Sequence, residues 1–167
     1  ASTTADITKR ALVLSTFSAS DKIYDGNNTA TTSSSISGYV GSETINHSLT
    51  ASFDNKNVGS SKAVTVNSIT LTDGTNGGLA VNYSIATSQT TTATVTAKPL
   101  IVSGITASNK SYDTTTSVSL NTTSLSYNGL VAGDSFSGSF TSSFSDADVG
   151  TGKLISLIST YSGDDVT

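Results

Sequence analysis

The chain has 167 residues, of which 12% are charged, and its formal net charge at pH 7 is −4. Without a basic face to neutralise phosphates or to dock on an anionic bilayer, neither nucleic acid nor a membrane surface is an expected partner. The absence of Cys excludes disulfides, thiolate metal sites and a thiol nucleophile, and no apolar run has the length of a membrane span.

The first predicted element is a strand at residues 3–8, indicated by its likeness to a later segment. Residues 3–12, TTADITKRAL, align with residues 91–100, TTATVTAKPL, which close a repeat. We therefore expect residues 1–10 to be the last strand of a preceding repeat. The chain is then a piece of a longer array in which each repeat contacts its neighbours.

A complete repeat is predicted over residues 11–98. Alternating apolar residues predict half-buried antiparallel strands at residues 79–85 and 92–97. The alternation slips by one residue at Asn67-Ser68, which indicates a bulge or a tight turn. Gly-containing turns separate the segments and no window shows a helical period, so we expect roughly six to eight short strands.

A second repeat is predicted over residues 99–167, because residues 12–25, LVLSTFSASDKIYD, recur as residues 100–113, LIVSGITASNKSYD. Tyr112 lies 88 positions after Tyr24 (112 − 24), whereas Phe144 lies 91 positions after Phe53 (144 − 53). The difference predicts a three-residue insertion in the Thr- and Ser-rich stretch after Thr114.

The second repeat is expected to lack its closing strands. Apolar residues near its end would then be under-covered, namely Leu154, Leu157 and Ile158. A strand borrowed from a neighbouring molecule would complete the sheet, and residues 3–8 have the matching sequence.

These patterns predict an all-β fold class, with tandem antiparallel β-sandwich repeats arranged end to end. The strand number favours two packed sheets over one open sheet. Residues 94–102 connect the repeats with no Gly or Ser run and with Pro99 alone, which is typical of a semi-rigid passage. Matching residues are expected to lie in like environments in both repeats.

Four short motifs, in their order and spacing, resemble the YDG repeat of bacterial filamentous-haemagglutinin-like and other large secreted adhesins. They are Lys22-Ile23-Tyr24-Asp25-Gly26, Gly38-Tyr39-Val40-Gly41-Ser42-Glu43, Asn57-Val58-Gly59 and Asn82-Tyr83. The resemblance implies β-sandwich repeats in a fibre of the Gram-negative cell surface or biofilm matrix. At the first turn of the second repeat Thr114 replaces the family's Gly, which puts that turn in doubt.

The repeated Tyr-Asp motif is interpreted as structural, by analogy with the tyrosine corner of sandwich folds. The Tyr ring would pack at a sheet edge, its hydroxyl would bond nearby backbone, and Asp and Gly would form the turn. A ligand site is the alternative. The motif residues are Lys22, Tyr24, Asp25 and Gly26 in the first repeat and Lys110, Tyr112 and Asp113 in the second.

Other polar residues give weaker indications of a site. His47 has no second His and no nucleophile motif beside it, so a surface position on a strand is the better interpretation. Asp146-Ala147-Asp148 and Asp164-Asp165 have the oxygen donors that Ca²⁺ prefers, but no calcium-loop pattern surrounds them. We expect no catalytic residues, no metal and no cofactor.

The leading functional interpretation is a structural stalk that projects a distant binding region from the cell. Its expected partners are neighbouring repeats of the same polypeptide, and any host or matrix glycan or protein would bind other parts of the parent protein. The alternative is a carbohydrate-binding β-sandwich, which would need an exposed aromatic platform. Trp is absent, and most aromatic residues occupy repeat-equivalent or alternating positions.

Overall fold

The computed structural model describes residues 1–163 and shows an all-β chain. Its regular structure there is thirteen strands and one short 3-10 turn, Ala80–Asn82. Within those residues no helix has the length and apolar character needed to span a membrane. The chain divides into two compact units, Ala1–Ala97 (unit 1) and Lys98–Thr167 (unit 2). The repeat limits predicted at residues 11–98 and 99–167 stay predictions.

Unit 1 has seven strands, and residues 1–9 before them are exposed and lie outside any strand. Their bounds are β1 (Arg10–Ala19), β2 (Lys22–Ile23), β3 (Thr32–Ser37), β4 (Ile45–Phe53), β5 (Gly59–Asp73), β6 (Tyr83–Ile85) and β7 (Thr90–Thr96). Ser and Thr are frequent at the exposed positions of these strands, and the β-branched Thr is among the residues that strands favour.

The strands of unit 1 form two sheets. One has the order β3-β1-β6 and the other has the order β2-β7-β5-β4. Most neighbours are antiparallel, but β1 pairs parallel with β6 and β2 pairs parallel with β7. The first segments of the unit therefore lie beside its last segments, one pair in each sheet.

Both sheets contribute side chains to one core. Leu12 and Leu14 of β1 cluster with Ile36 of β3, and with Ile45 and Val66 of the other sheet. Tyr83 of β6 completes this buried cluster. The most completely buried large side chains are Phe53, Val64 and Val95, which all belong to the four-stranded sheet. Burial of this apolar surface is the main force holding unit 1 together.

Two features predicted from hydrophobic alternation are confirmed. Thr50 pairs with Ser68 and Ala51 pairs with Val66, so Asn67 is the extra residue of a β-bulge. In β7 the apolar residues Ala93 and Val95 are buried, as the alternation predicted, whereas Ala97 of the same pattern lies after the strand and is exposed.

The strand predicted at residues 79–85 is wrong in its first half and in its pairing. Leu79 and Val81 are exposed, residues 80–82 form the 3-10 turn, and only Tyr83–Ile85 is a strand. That strand pairs parallel with β1. Alternation alone cannot distinguish a tight turn that leads into a short strand from a longer strand.

The described residues of unit 2, 98–163, form six strands in three separate two-stranded ladders. Their bounds are β8 (Ile101–Ser103), β9 (Thr106–Ala107), β10 (Leu120–Asn121), β11 (Ser126–Asn128), β12 (Phe136–Phe144) and β13 (Ile155–Gly163). The pairs are β9 with β10, β8 with β11, and β12 with β13, all antiparallel.

The ladders of unit 2 repeat the pairings of unit 1 at equivalent residues. Phe144 pairs with Ile155 in unit 2 just as Phe53 pairs with Val64 in unit 1. In the ladder of β9 with β10, both strands lie 88 positions after their equivalents in unit 1. In the ladder of β8 with β11, β8 also lies 88 positions after its equivalent, but β11 lies 91 positions after. The inserted residues therefore lie between Asn121 and Ser126, inside the predicted Thr- and Ser-rich stretch.

Unit 2 is much less covered than unit 1. In its described residues no side chain is fully buried. Leu154, Leu157 and Ile158 are 80%, 46% and 64% exposed, so the predicted under-covering of these residues is confirmed. The only described neighbour of β13 is β12, whereas the equivalent strand β5 lies between β4 and β7.

Candidate functional site

The lysine of the repeated motif closes a tight turn in unit 1. Lys22 Nζ lies 2.7 Å from Asp25 Oδ1 and donates to the backbone oxygens of Asn27 and Thr29 at 2.7 and 3.2 Å. Asp25 Oδ1 in turn accepts the backbone N–H of Asn27 at 3.2 Å. One ammonium and one carboxylate thus satisfy several backbone groups of the turn.

An aromatic ring lies under the same ammonium group. Lys22 Nζ is 5.5 Å from the centroid of the Phe53 ring, within the range of a cation–π interaction. Phe53 is only 2% exposed, and its backbone N–H donates to the backbone oxygen of Asn28 at 2.8 Å. The turn is therefore fastened to the end of β4.

Unit 2 contains the same arrangement at equivalent residues. Lys110 Nζ lies 2.7 Å from Asp113 Oδ1, donates to the backbone oxygen of Thr115 at 2.7 Å, and is 5.7 Å from the Phe144 ring centroid. Asp113 Oδ1 accepts the backbone N–H of Thr115 at 3.0 Å. The structure thus brings the predicted Lys and Asp together in both units. That the motif serves only a structural role stays a prediction.

The turn is retained although its glycine is not. Gly26 has a φ of 81°, and Thr114 at the equivalent position has a φ of 65°. A left-handed backbone is unfavourable for a β-branched residue such as Thr. The Thr114 hydroxyl donates to the backbone oxygen of Asp113 at 2.6 Å, which offsets part of this cost.

Hydrogen bonds from lysine lower the pKa of four aspartates at turns. The bond from Lys110 holds the pKa of Asp113 at about 2, and the bond from Lys22 lowers the pKa of Asp25. Ion pairs of the same kind join Lys62 to Asp54 and the equivalent lysine, Lys153, to Asp146, and the lysine hydrogen bonds lower the pKa of Asp54 and Asp146. The two aspartates lie one position apart in the alignment, because Asp146 corresponds to Asn55.

The two motif tyrosines differ in environment, so the expectation of like surroundings is wrong for them. Tyr24 is 6% exposed, its hydroxyl accepts from Lys56 Nζ at 3.0 Å, and its backbone N–H donates to Thr96 of β7 at 2.8 Å. Tyr112 is 63% exposed. In the described part of unit 2 no strand occupies the place of β7, and Ala147 stands where Lys56 contacts Tyr24 in unit 1.

A third tyrosine has the role that the tyrosine-corner analogy assigned to Tyr24. Tyr83 is 3% exposed, accepts the backbone N–H of Val40 at 3.1 Å and donates its hydroxyl to Glu43. The bond to Glu43 raises the pKa of Tyr83. Its signal in the sequence was the spacing of Asn82-Tyr83 after the Gly38–Glu43 motif, which indicated the family but not this contact.

The remaining polar candidates are held by protein contacts. His47 of β4 is half-buried, with Nε2 2.9 Å from Ser34 Oγ of β3, and so connects the two sheets of unit 1. Asp146 pairs with Lys153 and accepts the N–H of Asp148. Within residues 1–163 no three His, Cys, Asp or Glu residues group as metal ligands. Asp164 and Asp165 lie outside the described residues.

An open groove of about 710 Å³ lies beside the second turn, within unit 2. Apolar surface and charge both line it. The apolar side chains are Tyr112, Phe144, Val149 and Ile155, and the charged ones are Lys110, Lys153, Asp146 and Asp148. Sequence reasoning anticipated uncovered residues in this unit but not a groove next to the motif.

The comparisons with known proteins identify the family. The family model of the YDG domain matches the chain twice, over residues 8–93 and over residues 96–167. No curated protein and no solved structure matches the chain. Since the two matches together cover nearly all of the sequence, the chain belongs to the YDG domain family.

Proposed function

We propose that this chain is a stalk module of a bacterial adhesin, displayed on the cell surface or in the biofilm matrix. In this proposal its repeats are tandem β-sandwiches arranged end to end, and they project a binding region that lies elsewhere in the parent protein. The chain carries out no reaction. Its immediate partners are neighbouring repeats of the same polypeptide.

The parallel pairing of the first and last segments of unit 1 carries this proposal. β2 pairs parallel with β7, and the backbone N–H of Thr94 donates to the carboxylate Oδ1 of Asp21 at 2.6 Å. Tension applied at the two ends of unit 1 pulls these segments in opposite directions along their length. The hydrogen bonds between them then share the load, whereas bonds at a peeling edge break one at a time.

The spacing of the two family matches supports the same proposal. Only residues 94 and 95 separate them, and both residues lie in β7. The connection between the two matches is therefore short, which suits an extended spacer. The lysine-fastened turn is present in both, so the repeated residues hold backbone in place.

A carbohydrate-binding module is the second candidate, and one cluster of rings favours it. Tyr127, Phe136, Phe140 and Tyr161 lie together in unit 2, and Tyr161 is 40% exposed. However, the rings pack on one another: Phe136 stacks on Tyr161 at 5.3 Å and meets Tyr127 edge to face at 4.8 Å. A sugar platform needs ring faces open to solvent, so the stalk remains the better proposal.

Single-molecule pulling tests the load-bearing role of unit 1. Because the chain has no Cys, handles can be attached at engineered cysteines. Handles at Arg10→Cys and Ala97→Cys load the parallel segments along their length. Handles at Asn46→Cys and Thr72→Cys, which are ladder partners near one end of β4 and β5, peel that ladder open. We expect a several-fold higher unfolding force in the first geometry, and equal forces would contradict the proposal.

A glycan array decides between the two candidates. A stalk shows no saturable binding to any glycan on the array. Reproducible, saturable binding that is lost in Tyr161→Ala and kept in Tyr39→Ala would replace the stalk by the carbohydrate-binding module.

A further inference from the structure

The groove of unit 2 has the walls of a strand-binding site, because β7 occupies the equivalent place in unit 1. There β7 lies between β2, where Val95 faces Lys22, and β5, where Val95 faces Gly59 and Ala93 faces Lys62. The side chains of Ala93 and Val95 are 6% and 1% exposed.

The residues that line the groove are the equivalents of those that hold β7. Lys22 corresponds to Lys110, and Gly59, Lys62 and Val64 correspond to Gly150, Lys153 and Ile155. All four of these unit 2 residues line the groove, as does Asn109, the equivalent of the Asp21 that accepts the Thr94 N–H. One wall of the groove is therefore the segment that leads into β13, with Ile155 as the first residue of that strand, and the other is the backbone of the second turn.

The chain also contains a segment of the right pattern to fill it. Residues 3–8, TTADIT, align with residues 91–96 of β7, TTATVT, so Ala5 and Ile7 stand where Ala93 and Val95 are buried. Residues 1–9 lie outside any strand, and the side chain of Ile7 is 101% exposed. Burial of this isoleucine against the apolar part of the groove lowers the free energy of the system.

We infer that residues 3–8 of one copy of this chain bind as a strand in the unit 2 groove of a second copy. In the register set by β7, Thr4 lies opposite Leu154, as Thr92 lies opposite Ala63. Ala5 and Ile7 enter the groove, and the strand runs antiparallel to residues 150–155, the segment that leads into β13. Backbone hydrogen bonds to this segment supply affinity, and the two buried side chains set the register.

Such a contact joins the start of one copy to unit 2 of the next, so it is heterologous and continues into a chain of copies. The inference does not depend on the stalk proposal, since a module of any function can associate in this way. The pulling experiment and the association experiment can therefore fail separately.

Disulfide trapping between two different single-cysteine variants tests the inference directly. Thr4→Cys and Leu154→Cys are made in separate chains, which are mixed under mild oxidation. Antiparallel partners have the Cα separation that a disulfide requires, and Leu154 is 80% exposed, so its replacement is tolerated. In the matched control, the Thr4→Cys chain is mixed with a chain that carries Ser137→Cys, on β12, in place of Leu154→Cys. We expect a mixed disulfide several-fold faster with Leu154→Cys than with Ser137→Cys, and equal rates would overturn the inference.

Concentration-dependent sedimentation of the 167-residue chain supplies the second test. We expect self-association that is lost on deletion of residues 1–8 and in Ile7→Asp, and kept in Ile7→Val. A competing occupant is a strand that follows unit 2 in the same polypeptide. Appending a second copy of residues 77–97 after Thr167 provides one, and it should abolish association by filling the groove. If the chain does not associate, or associates equally without residues 1–8, the inference is wrong.

Discussion

Tyr24 and Tyr112 occupy equivalent positions in two copies of one motif, yet 6% of Tyr24 and 63% of Tyr112 are exposed. Both residues precede an aspartate that is bonded to a lysine three positions before it. The difference lies in β7, which accepts the backbone N–H of Tyr24 and has no counterpart in the described part of unit 2. A short motif thus fixes its own turn, while the surroundings of its tyrosine depend on residues outside the motif, which in unit 1 are Thr96 of β7 and Lys56.

The two tyrosines should therefore differ in their contribution to stability. Tyr24→Ala is expected to lower the free energy of unfolding of unit 1 by about 3 kcal/mol, because it leaves a cavity in a closed core. Tyr112→Ala should change the stability of unit 2 by less than about 1 kcal/mol, since its ring is already exposed. Hydrogen exchange followed by mass spectrometry reads each unit separately. Equal losses in both units would contradict this account of β7.

Thr114→Gly should stabilise unit 2. Thr114 has a φ of 65°, and this left-handed backbone costs a non-glycine residue about 1–2 kcal/mol. Gly avoids this strain, but it loses more backbone entropy on folding than Thr does, and this second effect is the smaller one. We expect a net gain of about 0.5 to 1 kcal/mol in denaturant unfolding. The reciprocal change, Gly26→Thr, should destabilise unit 1 by a similar amount. A loss of stability in Thr114→Gly would show that the bond from the Thr114 hydroxyl outweighs the strain.

Acid should loosen the turn of unit 2 through Asp113. The pKa of this carboxyl is about 2 in the folded chain, below its value in an unfolded chain, so folding favours the ionised form. The resulting stability is present above about pH 4 and is lost as pH falls through about 2. Hydrogen exchange of residues 108–117 should accelerate across this window, and Asp113→Asn should remove the pH dependence. Asp25→Asn is the matched control, since it should affect residues 20–29 alone.

Alkali should weaken unit 1 through Tyr83. The bond to Glu43 raises the pKa of Tyr83, so the folded chain holds this proton more tightly than the unfolded chain. The stability is full below about pH 10 and is lost as pH rises through the raised pKa. Tyr83→Phe should lower the melting temperature by a few degrees and should remove this loss. Tyr39→Phe, in a residue packed against the same core, should leave the alkaline loss unchanged.

The sequence predicted those features that neighbouring residues determine. The slip at Asn67 correctly predicted a bulge, and the alternation of Ala93 and Val95 correctly predicted a strand with one buried face. Both depend on side-chain period alone. The all-β class followed for the same reason, from many short alternating segments without a helical period.

Features that depend on distant contacts could not be predicted in this way. Nothing local to Tyr83 shows that its hydroxyl meets Val40 and Glu43, about forty residues earlier. The lysine of the motif was recognised as part of the site, but its position over Phe53 required the fold. Residues 79–85 were misassigned because hydrophobic alternation does not show that residues 80–82 form a tight turn before the short strand β6.

The parallel pairing of β2 with β7 also bears on how unit 1 folds. Lys22 and Val95 are ladder partners, and the bond between Asp21 and Thr94 spans 73 residues of sequence. Closing a loop of this length costs entropy before any contact repays it, so domains with such pairings fold slowly. Until both ends are present, the apolar residues of β5 and β2 stay uncovered and prone to aggregate. Unit 1 is therefore expected to fold in one late, cooperative step, after residue 96 has become available.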